Sequence, residues 1–122
     1  MAQKKTVFVV DDSTITRLFI VDAIKDIEGI EIQQFVNGEQ LIEKLKELVP
    51  SLIILDSVMP VMDGLTALDK LRKMGIKVPV IMCTADIQST TKNKALSLGA
   101  SEFINKPIQK PIVFEVVSKI LT

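Results

Sequence analysis

The 122-residue chain is long enough for one domain with a sizeable core and too short for two. Hydrophobic residues make up 48% and charged residues 25%, which excludes a disordered chain. Lys plus Arg equal Asp plus Glu at 15 each, and no basic run exceeds Lys4-Lys5, so direct nucleic-acid binding is not expected.

In chain order, the apolar run Val7 to Val10, ended by Asp11-Asp12, has the β-branched character of a strand buried on both faces. Ile15, Phe19, Ala23 and Ile27, with Ile20 and Ile24 beside them, recur at i, i+4 and predict one helical face up to Gly29. A second strand is expected over Ile30 to Phe35. After Asn37-Gly38, a helix presents Leu41, Ile42, Leu45 and Leu48 until Pro50 stops it. Leu52 to Leu55 is the third strand, followed by a helix from Gly64 to Met74 carrying Leu65, Leu68 and Leu71. Val78 to Cys83 and Glu102 to Ile104 are the last strands. Ser89 to Leu98 and Pro111 to Leu121 are the last helices, with proline suited to the helix start. Strict alternation predicts an α/β fold: an open, doubly wound, five-stranded parallel sheet covered by five helices, forming a single domain over 1–122.

Cys83, the only cysteine, sits inside an apolar run and reads as a small buried hydrophobe. With no histidine in the chain, a typical zinc site is excluded. The four apolar residues after Thr6 are too short for a signal peptide, and no run approaches membrane-spanning length. A cytoplasmic protein without membrane contact is expected.

In doubly wound sheets, ligands bind outside the carboxyl ends of the strands. Those positions hold Asp11 and Asp12, then Asp56, Thr84 and Lys106-Pro107. Three carboxylates brought together repel unless a hard cation with oxygen ligands neutralises them, and Mg²⁺ (or Mn²⁺) fits. Such a cation offsets the repulsion between Asp56 and an incoming phosphoryl group, which makes Asp56 a nucleophile. Lys106 then supplies a fixed positive charge and Thr84 a hydroxyl donor to phosphoryl oxygens. Asp63, just before a helix, reads as a cap.

Together, Asp11-Asp12-Ser13, Asp56-Ser-Val-Met-Pro60-Val-Met-Asp-Gly64, Thr84-Ala85 and Lys106-Pro107 resemble the receiver domain of bacterial two-component response regulators, over nearly the whole chain. The resemblance implies a flavodoxin-like (βα)5 fold with strand order 2-1-3-4-5. It also implies phosphorylation of Asp56 by a histidine kinase or histidine phosphotransferase. Mg²⁺ is then bound by Asp12, Asp56 and the Val58 backbone carbonyl, with Asp11 acting largely through water. Phe103 matches the family's aromatic switch, and Lys106-Pro107 its cis bond. Phosphorylation draws Thr84 and Phe103 inward and alters the face of the fourth helix, fifth strand and fifth helix for a downstream partner. Apolar surplus at Leu18 and Val21, and along Ile112 to Leu121, points to partner contact, in a monomer or weak dimer.

Val58, two residues after the acceptor, cannot orient an attacking water, so slow self-dephosphorylation is expected, with Asp86 as the other tuning neighbour. Val58 also argues against a phosphohydrolase of the haloacid dehalogenase type, which needs an acid there. Ser13-Thr14-Ile15-Thr16 only faintly resembles a flavin phosphate loop. The remaining alternative is an excised receiver from a longer regulator.

Overall fold

Strands and helices alternate through the described residues, 4–85 and 89–122, of the computed structural model. They are β1 (Lys5–Val10), α1 (Thr14–Ile24), β2 (Ile30–Phe35), α2 (Gly38–Leu45), β3 (Leu52–Asp56), α3 (Gly64–Lys73), β4 (Val80–Thr84), α4 (Ser89–Ser97), β5 (Glu102–Asn105) and α5 (Lys110–Leu121). The sheet is parallel throughout, in the expected order β2-β1-β3-β4-β5. β3 and β4 are buried at every position, and are apolar up to their last residues, Asp56 and Thr84, as strands covered on both faces require.

Alternate residues of each strand serve opposite layers. Phe8, Val10, Ile53, Leu55 and Met82 pack with Leu41, Leu68 and Leu71 under α2 and α3. Val7, Val9, Leu52, Ile54 and Ile81 pack with Ile20, Ile24, Val113 and Val117 under α1 and α5. Cys83 belongs to the second layer, where burial pushes its thiol up to about 12, so it behaves as the expected inert hydrophobe.

Three helix starts are capped by residues whose side chains accept a backbone N–H: Ser13 from Thr16 (3.2 Å), Asn37 from Gln40 (2.8 Å) and Asp63 from Thr66 (2.8 Å). The Asp63 cap is as expected. On α3 the Arg72 guanidinium donates to four carbonyls, those of Leu98, Ile76, Val78 and Gly99, at 2.8 to 3.0 Å. This side chain joins the end of α3 to the entry of β4 and the exit of α4.

Two helices differ from their periodicity. α1 ends at Ile24 rather than near Gly29, and its inward face is Arg17, Ile20 and Ile24, whereas Ile15 is 80% and Phe19 39% exposed. The i, i+4 row through Ile15 and Phe19 runs along the flank of the helix, because Arg17 takes the inward place in its first turns. α2 ends at Leu45, leaving Leu48 exposed beyond it rather than on its inner face. In the loop after β3, Val61 adopts φ 74° while 75% exposed, a left-handed conformation that costs a β-branched residue about 1–2 kcal/mol.

Candidate functional site

Because β3 lies between β1 and β4, the residue ending β3 sits at the centre of the sheet's carboxyl edge. That residue is Asp56. Asp11 and Asp12 follow β1 on one side, and Thr84 ends β4 on the other. Lys106 follows β5, and its backbone N–H donates to the Thr84 carbonyl at 2.9 Å, which ties the two strand ends together. The Lys106-Pro107 peptide is cis, as the resemblance implies.

Carboxylate oxygens of Asp11, Asp12 and Asp56 lie within 4.8 Å of one another. Asp11 and Asp56 are buried and Asp12 is exposed. The Lys106 ammonium stands 3.0 Å from Asp56 Oδ1 and 3.3 Å from Asp11 Oδ2. Asp11 Oδ1 accepts the Ser13 N–H at 2.8 Å, and Asp56 Oδ1 accepts the Val58 N–H at 3.3 Å. Formally, among the described residues, three carboxylates meet one ammonium at this edge, so the side chains gathered there carry net negative charge. Burial pushes the Asp56 carboxyl above the usual carboxylate range; the Lys106 hydrogen bond opposes this and the charge of Asp11 reinforces it. Burial works to lower the Lys106 pKa, but its bond to Asp56 and the two carboxylate charges prevail and hold it above the ordinary lysine value. An all-oxygen donor set with uncompensated negative charge fits a hard divalent cation.

The surrounding chain explains this placement. Gly64, the first residue of α3, donates its N–H to the Ser57 carbonyl at 3.0 Å. A Cβ there would lie 2.2 Å from the Asp56 carbonyl oxygen, so glycine is required for the close approach of α3 to β3. The Val58 side chain is 74% exposed at the rim. Thr84 is buried at the end of β4. Phe103, on β5, is half-buried against the layer under α2 and α3, and the Lys92 ammonium lies 5.7 Å from its ring centre. Asp86 lies outside the described residues.

Sequence reading passes over one residue of this neighbourhood. Arg17 is 9% exposed, and its guanidinium donates to the Asp11 backbone carbonyl (2.7 Å), Gln34 Oε1 (3.2 Å) and Thr14 Oγ1 (3.3 Å). The available signal was its spacing: positions 17, 20 and 24 share one helical face, so an arginine stands in an otherwise apolar row.

In a parallel doubly wound sheet the ligand site lies at the carboxyl edge of the strands, and three acids and a lysine gather there in this chain. Residues 7–118 match the family model of the response regulator receiver domain. Chemotaxis protein CheY of Bacillus subtilis (strain 168) is 37% identical over 116 residues, covering 94% of this chain and 96% of that protein. A protein-glutamate methylesterase/protein-glutamine glutaminase of Clostridium acetobutylicum is 39% identical over 112 residues, which are 89% of this chain but 32% of that protein. The solved signal receiver domain of a Luxo repressor protein from Vibrio parahaemolyticus superposes with a TM-score of 0.90 at 30% identity, covering 97% of this chain and 90% of that one. The chain belongs to the response regulator receiver domain family, a family of two-component signalling. Among the described residues, no helix is long and apolar enough to cross a membrane.

Proposed function

We propose that this chain is a phosphorylation-dependent switch, a single receiver domain over 1–122 that takes a phosphoryl group onto Asp56 from a histidine kinase or histidine phosphotransferase. The observation that carries the reading is the buried Asp56 carboxylate, held by Lys106 at 3.0 Å within 4.8 Å of two further carboxylates. One Asp56 oxygen attacks phosphorus as the bond from phosphorus to the donor imidazole nitrogen breaks. The bonding pair leaves with the imidazole, and Asp56 becomes an acyl phosphate. Mg²⁺ (or Mn²⁺), held by Asp11, Asp12, Asp56 and the Val58 backbone carbonyl, supplies charge shielding for the phosphoryl oxygens.

Lys106 exchanges its carboxylate contact for a phosphoryl oxygen and keeps its positive charge throughout, consistent with its raised pKa. The Thr84 hydroxyl donates to another oxygen, and Thr84 and Phe103 relay the change to the face of α4, β5 and α5. Ile112 and Phe114 are each 45% exposed on α5, apolar surface that suits a downstream protein partner. On the α1 side, a groove of about 300 Å³ beside Lys106, lined by Ile15, Phe19 and Ile108, suits a protein phosphodonor. The chain acts in the cytoplasm, catalyses only its own phosphorylation and dephosphorylation, and works as a monomer or weak dimer without nucleic-acid contact. Dephosphorylation is slow because Val58 offers no polar side chain to orient water. The methylesterase relative has about three times the matched length, so control of an attached output domain is the second arrangement in which the same switch would work.

Intact mass after incubation with phosphoramidate, with and without Mg²⁺, tests the reading. A Mg²⁺-dependent gain of one phosphoryl group that is absent from Asp56→Asn is expected. No gain by the folded wild type with Mg²⁺ would overturn it.

A further inference from the structure

Arg17 is a buried cation on the rear of the acidic loop, and among the described residues no carboxylate lies within ion-pair distance of it. Its charge is met only by dipoles. They come from three segments: the Asp11 carbonyl in the loop after β1, Gln34 near the end of β2, and Thr14 at the start of α1. The first acceptor belongs to the pair Asp11-Asp12, Thr14 lies two residues beyond it, and Gln34 belongs to the neighbouring strand. Lys106 and the Ser13 N–H hold the Asp11 carboxylate from its front, while Arg17 holds the backbone of the same residue from behind. A buried guanidinium with only neutral partners is costly to keep, so its place in an apolar row calls for a reason other than packing.

We propose that Arg17 is a positioning residue for divalent-cation binding: it locks the Asp11-Asp12 loop to β2, so that both carboxylates converge on Asp56 before the cation arrives. This rests on reading the acidic trio as a cation site. Groups that hold metal ligands from behind are worth about 10–100-fold in metal affinity when removed. Simple electrostatics predicts the opposite sign. Deleting a positive charge next to a cation site removes repulsion and should tighten binding. The direction of the change therefore separates positioning from charge.

The test is titration of the metal-free protein with Mg²⁺ by calorimetry, and with Mn²⁺ by the loss of the free-ion electron paramagnetic resonance signal. Arg17→Met keeps the buried stem and loses every donor, so both affinities should fall about 10–100-fold. Arg17→Lys keeps the charge but cannot span three acceptors, and should fall by at least about 3-fold, part of the same range. Arg72→Met, which removes an arginine with four hydrogen bonds away from the site, should lower the urea midpoint while leaving Mg²⁺ affinity within about 2-fold, since the metal loop keeps its ties. Wild-type affinity or tighter in folded Arg17→Met would overturn the role of Arg17. If that variant does not fold, undiminished affinity in Arg17→Lys would overturn it instead. Failure of the wild type to bind either ion would overturn the cation site itself, and the role of Arg17 with it, a result distinct from an Arg17-specific failure.

Discussion

Replacing Gly64 with alanine probes the contact that brings α3 against β3. The added Cβ would stand 2.2 Å from the Asp56 carbonyl oxygen, 2.8 Å from the Ser57 Cα and 3.0 Å from the Asp56 carbonyl carbon, all backbone atoms that cannot rotate away. Normal contact is about 3.5 Å, so α3 or the end of β3 must retreat by about 1 Å. Overpacking of this kind costs about 1–3 kcal/mol, and losing the hydrogen bond from Gly64 to Ser57 adds about 1 kcal/mol. The better helix propensity of alanine returns less than about 1 kcal/mol at a first helical position. The expected net loss is about 2–3 kcal/mol, read from urea unfolding, with a Tm fall of roughly 10 °C. Gly75→Ala is the control: its φ is +83°, yet nothing lies within 4 Å of the new Cβ, so only the left-handed backbone cost of about 1 kcal/mol applies. Gly64→Ala should also slow phosphoryl uptake, whereas Gly75→Ala should not. If Gly64→Ala proves as stable as Gly75→Ala, the close-approach argument is wrong.

The left-handed φ of Val61 predicts that Val61→Asn, a residue that tolerates that region, raises stability by about 1 kcal/mol in urea unfolding; a loss would refute the strain. Asp56 has its carboxyl pKa raised above the unfolded 3.8, so its favourable contribution is complete below that pH and is lost as pH rises through the folded value. Without Mg²⁺, the wild type should therefore lose stability relative to Asp56→Asn as pH rises above 3.8 and through the raised folded value, with the difference between the two urea midpoints as the readout. Saturating Mg²⁺ at about 100 times its Kd should raise wild-type stability by roughly 2.7 kcal/mol and leave Asp56→Asn nearly unmoved; equal shifts in thermal melts would place the ion elsewhere. Val58→Asn should shorten the life of the phosphorylated form, measured by the decay of the phosphorylated mass, because its amide can hold water where valine cannot.

Much of this architecture was legible because burial and local pattern coincide. The strands Val7 to Val10 and Leu52 to Leu55 are apolar at every position, since helices cover both faces, and their polar successors fall at the strand ends by topology alone. The polar residues that gather at this edge were therefore readable as a set before any distance was known. The face of α1 was not, because the pattern counts apolar residues and the inward position belongs to Arg17, whose three hydrogen bonds depend on Gln34 and the Asp11 backbone. Leu48 misled for a related reason: i, i+3 spacing continues past Leu45 although the helix does not. The φ of Val61 was invisible because valine is among the residues least suited to it, so only the surrounding loop imposes it.

The four carbonyls gathered by Arg72 have a mechanical consequence. They fasten the exit of α4, at Leu98 and Gly99, to the end of α3 and the approach to β4. The opposite end of α4 begins five residues after Thr84, on the side of the acidic edge. At 1.5 Å per residue, the nine residues of α4 make an arm of about 13 Å with its fulcrum at Arg72. If α4 moves while Arg72 holds its exit, it swings rather than slides, and the greatest travel falls at its first residue, Ser89.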